Sequence, residues 1–142
     1  MIDLVTKRCR AVYQHHKQRA AREGQALDYT AADLVEIARP NTPGVVQRCS
    51  YCRSLLAAAD VSFDHRTPTS RQGGAHALRN LALCCSVCNE AKGKLTETEF
   101  RSLLAMMNDW HPVARQDVLK RLRAGLAARG RMFRNQKESN HE

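Results

Sequence analysis

Four of the six cysteines fall into two short pairs, Cys49-Ser-Tyr-Cys52 and Cys85-Ser-Val-Cys88. Each spacing lets two sulfurs converge on one ion, so the four together are candidate ligands of a tetrahedral structural zinc. A shell closed by four protein ligands leaves no open position for a water or a substrate, and chemistry has to be sought elsewhere. Thirty-two residues separate the pairs, more than a simple zinc ribbon needs; they include Asp64-His65 and Asn80, and Asn89 directly follows the second pair. A His, Asp and Asn constellation beside a structural zinc site points to a second, working metal centre.

Cys84 competes with Cys85 for the ligand position. Leu81, Leu83 and Cys85 share one face of a strand by alternation, and the spacing to Cys88 assigns Cys85 to the zinc. Cys9 and Cys84 are then left over.

The block from 49 to 94 resembles the HNH nucleases of the ββα-metal (His-Me finger) class, in the branch with a four-cysteine zinc knuckle. The matching positions are His65, Asn80 and Asn89, with 14 residues between the first two and 8 between the last two. The pieces Asp64-His65…Pro68, Gly73-Gly74, Asn80-Leu81 and Cys85-x-x-Cys88-Asn89-x-x-Lys92-Gly93 occur in the family's order. Each piece alone is weak, whereas their joint order and spacing is specific. Two departures stand out: Asn89 occupies the place of the founding third His, and Arg66 stands where the family usually has an aliphatic residue. The resemblance implies a ββα-metal core, phosphodiester hydrolysis, and Asn80 as a residue that fixes the His65 loop by hydrogen bonding.

Hydrolysis of a phosphodiester needs an activated water, charge stabilisation on the phosphoryl oxygens and a stabilised leaving oxygen. Neutral imidazole can take a proton from water near pH 7, which makes His65 the candidate general base. The Asp64 carboxylate and the Asn89 carbonyl oxygen are hard ligands suited to Mg²⁺ or another divalent cation, and two protein ligands leave room for substrate. Arg66, Arg71, Lys92 and Lys94 are candidates for phosphate contacts, although each of these types alone is more often simply exposed.

Lys and Arg number 23 against 14 Asp and Glu, a formal charge of +9, which favours a polyanionic partner. The first residues lack an apolar signal region and no stretch reaches membrane-spanning length, so nucleic acid is favoured over a membrane surface: DNA, with RNA not excluded. Cysteines without a signal peptide place the chain in the cytoplasm and favour metal over disulfides. Aromatic residues make up only 5% of the chain, so the core is expected to be aliphatic and thin, which raises the value of a metal cross-link.

The elements that must hold these residues can be read in order. Val5, Cys9, Val12, His16 and Ala20 form one apolar stripe of a helix over 3–23 that stops at Gly24. His16, within the stripe, is expected to be packed or hydrogen-bonded rather than a ligand, and His15 to face solvent. Thr30 caps a short helix with Asp33 in its first turn and Leu34, Val35 and Ile37 buried; Pro40 to Gly44 ends it, and Val45-Val46 leads to Cys49. Val61 to Phe63 is a strand that delivers Asp64 and His65, whose side chains face opposite ways unless the strand bends there. Ser70 to Gly74 is a loop, Leu81 to Leu83 the second strand, and Ser86 to Lys92 a helix.

Thr96 to Glu99 is a capping box opening a helix with Phe100, Leu103, Leu104 and Met107 inward, and Met106 and Met107 are expected as core filler. Pro112 starts a last helix with a Leu119, Leu122 and Leu126 stripe, Lys120 and Arg121 turned away, and a polar tail from Gly130. Residues 111–142 hold eight Lys and Arg against three Asp and Glu, which is either a solvated face or a DNA-backbone contact through residues such as Lys120 and Arg121.

The resulting expectation is an α+β, mostly helical chain forming one nuclease domain over 1–142. Its parts are a helical extension at 1–44, the zinc and ββα-metal core at 45–95, and C-terminal helices with a basic tail at 96–142. The function expected is a metal-dependent HNH endonuclease acting on DNA. The alternative is a non-catalytic zinc-stabilised DNA-binding or assembly module on the same scaffold. A zinc-ribbon protein-interaction adaptor is disfavoured by the 32-residue interval and the basic charge.

Overall fold

The computed structural model describes residues 2–39 and 47–124. Asp3 opens α1 (Leu4–Glu23): its carboxylate accepts hydrogen bonds from the Thr6 amide and hydroxyl, satisfying a donor that the helix leaves free. The stripe read from the sequence is the packed face, with Cys9, His16 and Ala20 buried and Val5 and Val12 against the core. Gly24 stops the helix at φ 64°, a left-handed conformation cheap only for glycine, and its N–H reaches the Ala20 and Ala21 carbonyls.

The helix α2 (Ala31–Ala38) begins with a reciprocal capping box between Thr30 and Asp33 and buries Leu34 against α1. It closes at Arg39, one residue before the expected stop; Pro40 to Gly44 and the lead-in Val45-Val46 lie outside the described residues.

The sheet is a single antiparallel pair, β1 (Val61–His65) and β2 (Leu81–Cys85), in the register Val61 to Cys85 through His65 to Leu81. Every residue of β1 is buried, because both faces and the unpaired edge are covered. At that edge α1 lies alongside, and Arg8 Nε donates to the Val61 carbonyl at 2.8 Å. The helix α3 (Ser86–Lys92) follows β2 directly and packs back on both strands, completing ββα.

The connection between the strands turns at Pro68 to Gly74, where the Arg71 amide donates to Pro68 and the Gly74 amide to Arg71. A Cβ on Gly74 would lie 2.0 Å from the Pro68 carbonyl oxygen, so only glycine allows this approach.

The helix α4 (Glu97–Met106) starts from the expected capping box of Thr96 and Glu99 and buries Phe100 and Leu104. Residues 112–124 form a further helix, α5, beginning at Pro112.

The architecture is therefore α+β and mostly helical, as expected. Phe63, Phe100, Leu34 and Met107 are fully buried, each contributing about 1.5–3 kcal/mol of hydrophobic stabilisation. Among the expected core positions, Met106 departs: it is exposed, because one residue of helix turns it away from the face that Met107 shares with Phe100 and Leu104. Leu119 touches the core while Leu122 is exposed; Leu126 and the tail from Gly130 lie outside the described residues.

No helix of the described residues is long and apolar enough to cross a membrane.

Candidate functional site

The first cysteine pair sits on a tight turn. The Cys49 amide donates to the Ser54 carbonyl, the Arg53 amide to Cys49, and the Tyr51 amide points at the Cys49 sulfur at 3.4 Å. Ser50 ties the turn to β2 through two bonds to the Leu83 carbonyl, from its amide at 3.0 Å and its hydroxyl at 2.6 Å. Arg53 takes φ 64°, which costs a residue with a Cβ about 1–2 kcal/mol. Its carbonyl is held in place by the Arg48 guanidinium.

The second pair straddles the start of α3, where the Cys88 amide points at the Cys85 sulfur. The four sulfurs of Cys49, Cys52, Cys85 and Cys88 lie within 4.8 Å of one another, and Cys52 and Cys85 are 3.9 Å apart. Tetrahedral zinc with bonds of about 2.3 Å needs sulfur separations near 3.8 Å, so the four fit this ion. Thiols of Cys85 and Cys88 favour ionisation of Cys49 and resist their own, since thiolates this close repel; a divalent cation removes that opposition. Cys84 points the other way, fully buried and donating to the Ser62 carbonyl, so the parity argument for Cys85 agrees with the geometry.

A groove of about 480 Å³ lies between α1, the edge of β1 and the end of α3. Asp64, His65 and Asn89 line it together with Arg8, His15, His16, Arg19 and Lys94. The strand stays regular through His65, so the two neighbouring side chains do face opposite ways. Asp64 turns toward α3 and the knuckle, where Lys92 Nζ lies 3.1 Å from its carboxylate oxygens and the Tyr51 hydroxyl donates at 2.6 Å. Burial pushes this carboxyl up, against the pull of Tyr51 and Lys92. Asn89 Nδ2 donates to the Ser62 hydroxyl at 2.6 Å, and its side-chain Oδ1 has no hydrogen-bond partner among the described residues.

His65 turns toward α1. Its Nε2 is 3.2 Å from His76 Nδ1, and its ring centroid is 4.9 Å from that of His16. Burial, reinforced by His16, His76 and Arg19, pushes His65 down to about 3. Its imidazole is therefore neutral throughout the physiological range. Asn80 closes the segment after His65: Oδ1 accepts from the Thr67 amide at 3.0 Å, and Nδ2 donates to the Thr67 and Ala75 carbonyls at 2.9 Å.

A buried hairpin thus presents His65, Asp64 and Asn89 beside four convergent cysteines. Residues 49–95 match the HNH endonuclease family model. The HNH segment accounts for the knuckle, both strands and α3, but α1, which forms one wall of the groove, lies outside it. No curated protein and no solved structure matches the chain.

The basic residues expected at phosphates divide into spent and free. Arg66 forms a two-point ion pair with Glu97 at 2.8 Å, and Arg71 pairs with Glu99. Lys92 is wholly buried, bonded to Asp64 and to the His65 carbonyl at 2.9 Å, and presents no charge to solvent. Lys94 remains on the groove wall. Lys120 and Arg121 are on the exposed side of α5, away from the groove, with Arg121 bonded to Asp117.

Sequence reasoning missed the wall built by α1. Arg8 and Arg19 carried no reading of their own, and His16 read as packed or hydrogen-bonded rather than as part of a site. His16 is indeed hydrogen-bonded, through Nδ1 to the Tyr29 hydroxyl at 2.7 Å, but it also borders the groove. His76 went unnoticed: a single His after Gly73-Gly74 carries no spacing signal of its own, and only the fold brings it to His65.

Proposed function

We propose that this chain is a DNA endonuclease of the HNH type, with His65 as general base. The observation that carries the reading is the shared groove: His65, Asp64 and Asn89, all within the segment that matches the HNH model, line one cleft. The neutral, buried His65 supplies a proton acceptor with its ring already in the reactive form, and a positioned base is typically worth about 10²–10⁴ in rate. Water attacks phosphorus as its proton passes to His65, the phosphorus bond to the leaving oxygen breaks, and that oxygen takes a proton from solvent. Asn80 holds the backbone beyond His65 so that the ring cannot drift.

Asp64 and Asn89 would hold the divalent cation, which when bound supplies positive charge to the phosphate and stabilises the leaving oxygen. The donor set fits: Asn89 Oδ1 has no partner among the described residues, and the carboxylate oxygens of Asp64 keep lone pairs beyond those taken by Tyr51 and Lys92. Arg8 and Lys94 give the groove rim positive charge suited to a phosphate backbone, whereas Arg19 is already paired with Glu23.

The second reading, a zinc-stabilised DNA-binding module without turnover, is favoured by one observation. Asp64 is already neutralised by a buried Lys92, an arrangement that is complete without a second cation. Supercoiled plasmid separates the two. The nuclease reading expects nicked or linear product with Mg²⁺ or Mn²⁺, none in chelator that spares the zinc, and a loss of about 10²–10⁴ in rate for His65→Ala at unchanged DNA affinity. Binding without cleavage in any divalent cation supports the module instead.

A further inference from the structure

Three histidines meet at the inner end of the groove, and they do not converge on a common point as metal ligands do. His16 turns its Nδ1 to Tyr29, while His65 and His76 lie edge to face with centroids 4.8 Å apart, linked nitrogen to nitrogen. Beyond them the chain of bonds continues: His76 Nε2 is 2.9 Å from the Glu23 carboxylate at the last residue of α1. Glu23 in turn is bonded by Arg19 at 2.8 Å and by the Thr69 hydroxyl at 3.2 Å. The His76 ring is wholly buried, whereas the Glu23 side chain keeps 28% of its surface in solvent. A buried imidazole with both nitrogens engaged is more than the hairpin needs for packing.

Burial raises the Glu23 carboxyl, but hydrogen bonds from Arg19, His76 and Thr69 outweigh it and hold the group at about 2, so Glu23 is an acceptor only. His76 must then carry its proton on Nε2. A His76 that holds this single proton offers a lone pair at Nδ1, and the proton between the two rings then belongs to His65 Nε2. The remaining nitrogen, His65 Nδ1, has no hydrogen-bond partner among the described residues. No buried polar side-chain atom there lacks a partner, so Nδ1 is open to the groove that His65 lines.

We propose that Glu23 and His76 are positioning residues for His65, a Glu23–His76–His65 relay that fixes the ring with its proton on Nε2 and its Nδ1 lone pair facing the groove. The proposal rests on the reading of His65 as general base. It places one member of the machinery on α1, outside the segment that matches the HNH model. The relay does not touch the substrate: Glu23 orients His76, His76 orients His65, and the imidazolium formed when Nδ1 takes a proton is stabilised through the same bonds.

The test reads the proton directly. Full-length zinc-loaded protein carrying ¹⁵N-histidine is studied at a pH of about 8 by spectra that correlate ring nitrogens with ring protons, with His65 assigned from His65→Gln. The relay requires His65 and His76 both to be protonated on Nε2, with ring N–H signals slow to exchange with water. In Glu23→Ala the His65 ring proton should exchange rapidly and both tautomers should appear. His76→Asn, whose amide oxygen can still accept from His65, should keep the Nε2 proton, while His76→Ala should lose it. In cleavage assays Glu23→Ala should lower kcat by about 10–100-fold with KM unchanged, and His76→Asn should be closer to wild type than His76→Ala.

A His65 ring protonated on Nδ1 in the wild type, or His65 signals unchanged in Glu23→Ala, overturns the relay. Should His76→Ala fail to fold, Glu23→Ala at the solvent-facing helix end still decides. Should the wild type never cut DNA, the nuclease reading falls, and the spectra judge the relay on their own.

Discussion

The four cysteines and the three histidines are both clusters of potential ligands brought together around one short hairpin, yet they are built for opposite tasks. At the knuckle the donors are identical and turned inward, with sulfurs as close as 3.9 Å, so that one cation can satisfy all of them at once. Beside the groove the three rings crowd together, but their bonded nitrogens point apart: His16 Nδ1 to Tyr29, His65 Nε2 to His76 and His76 Nε2 to Glu23. The first arrangement can saturate one ion and cross-link the fold; the second leaves His65 Nδ1 without a partner among the described residues, as the proposed proton transfer needs. Lys92 stands between the two regions, at the last residue of α3, and ties Asp64 and the His65 backbone to the helix that carries Cys88.

The contrast is broken most severely at the knuckle. Removing zinc, or Cys49→Ser, is expected to cost on the order of 10 kcal/mol of metal-linked folding energy. Hydrogen exchange should then show protection lost over 47–95, whereas His65→Ala should leave the zinc content and this protection intact. If the metal-free chain keeps its protection, the cysteines are not what holds the hairpin.

Lys92→Met is the next largest effect. It strands the Asp64 carboxylate in a buried site and should destabilise by about 3–5 kcal/mol in urea unfolding. Adding Asp64→Asn should restore much of that loss, because the uncompensated charge is then gone. Equal destabilisation in the single and double variants would mean that Lys92 acts through packing alone.

Acid should sharpen the difference in a milder way. The unfolded chain protonates each histidine near 6.5, whereas in the fold His16 is held at about 4 and His65 at about 3, in both cases first by burial. Their contribution is therefore complete above pH 6.5 and is lost as pH falls from there toward 3–4, at up to about 1.4 kcal/mol per pH unit for each. Chemical denaturation between pH 7 and 5, with zinc content followed in parallel, should show this slope, and His16→Gln should reduce it. The same shift keeps the proposed base neutral, so His65 protonation should not limit cleavage at pH 5 or above.

The smallest effect is expected far from both clusters. Arg121 pairs with Asp117 on the exposed side of α5, and Arg121→Ala should change stability by less than about 1 kcal/mol. Its DNA affinity decides the role of that helix: a uniform weakening across sequences, with a shallower salt dependence, marks a backbone contact. Unchanged binding would leave Arg8 and Lys94 on the groove rim as the cationic surface.

Much of this was legible in the residues because local rules governed it. The caps at Thr30 and Thr96, the stop at Gly24, the pairing of Cys85 rather than Cys84, and the span of α3 all depend on neighbours within a few positions. Met106 was misplaced because adjacent methionines on a helix cannot both face one core, and sequence type alone did not say which would. The fates of Arg66, Arg71 and Lys92 were hidden for another reason. Their partners Glu97, Glu99 and Asp64 are 28 or more residues away, so nothing nearby marked these charges as already paired.

Sequence by itself thus marked the two cysteine pairs, the ββα order and His65, Asp64 and Asn89 as candidates for catalysis, through local patterns and the order of the motif pieces. Only the tertiary structure decided how those residues are employed. It laid α1 along the open edge of β1, brought Glu23 across 53 positions to His76, and set His76 against His65. Such contacts depend on how helices pack on a buried strand, where side chains distant in the chain compete for the same few hydrogen-bonding sites.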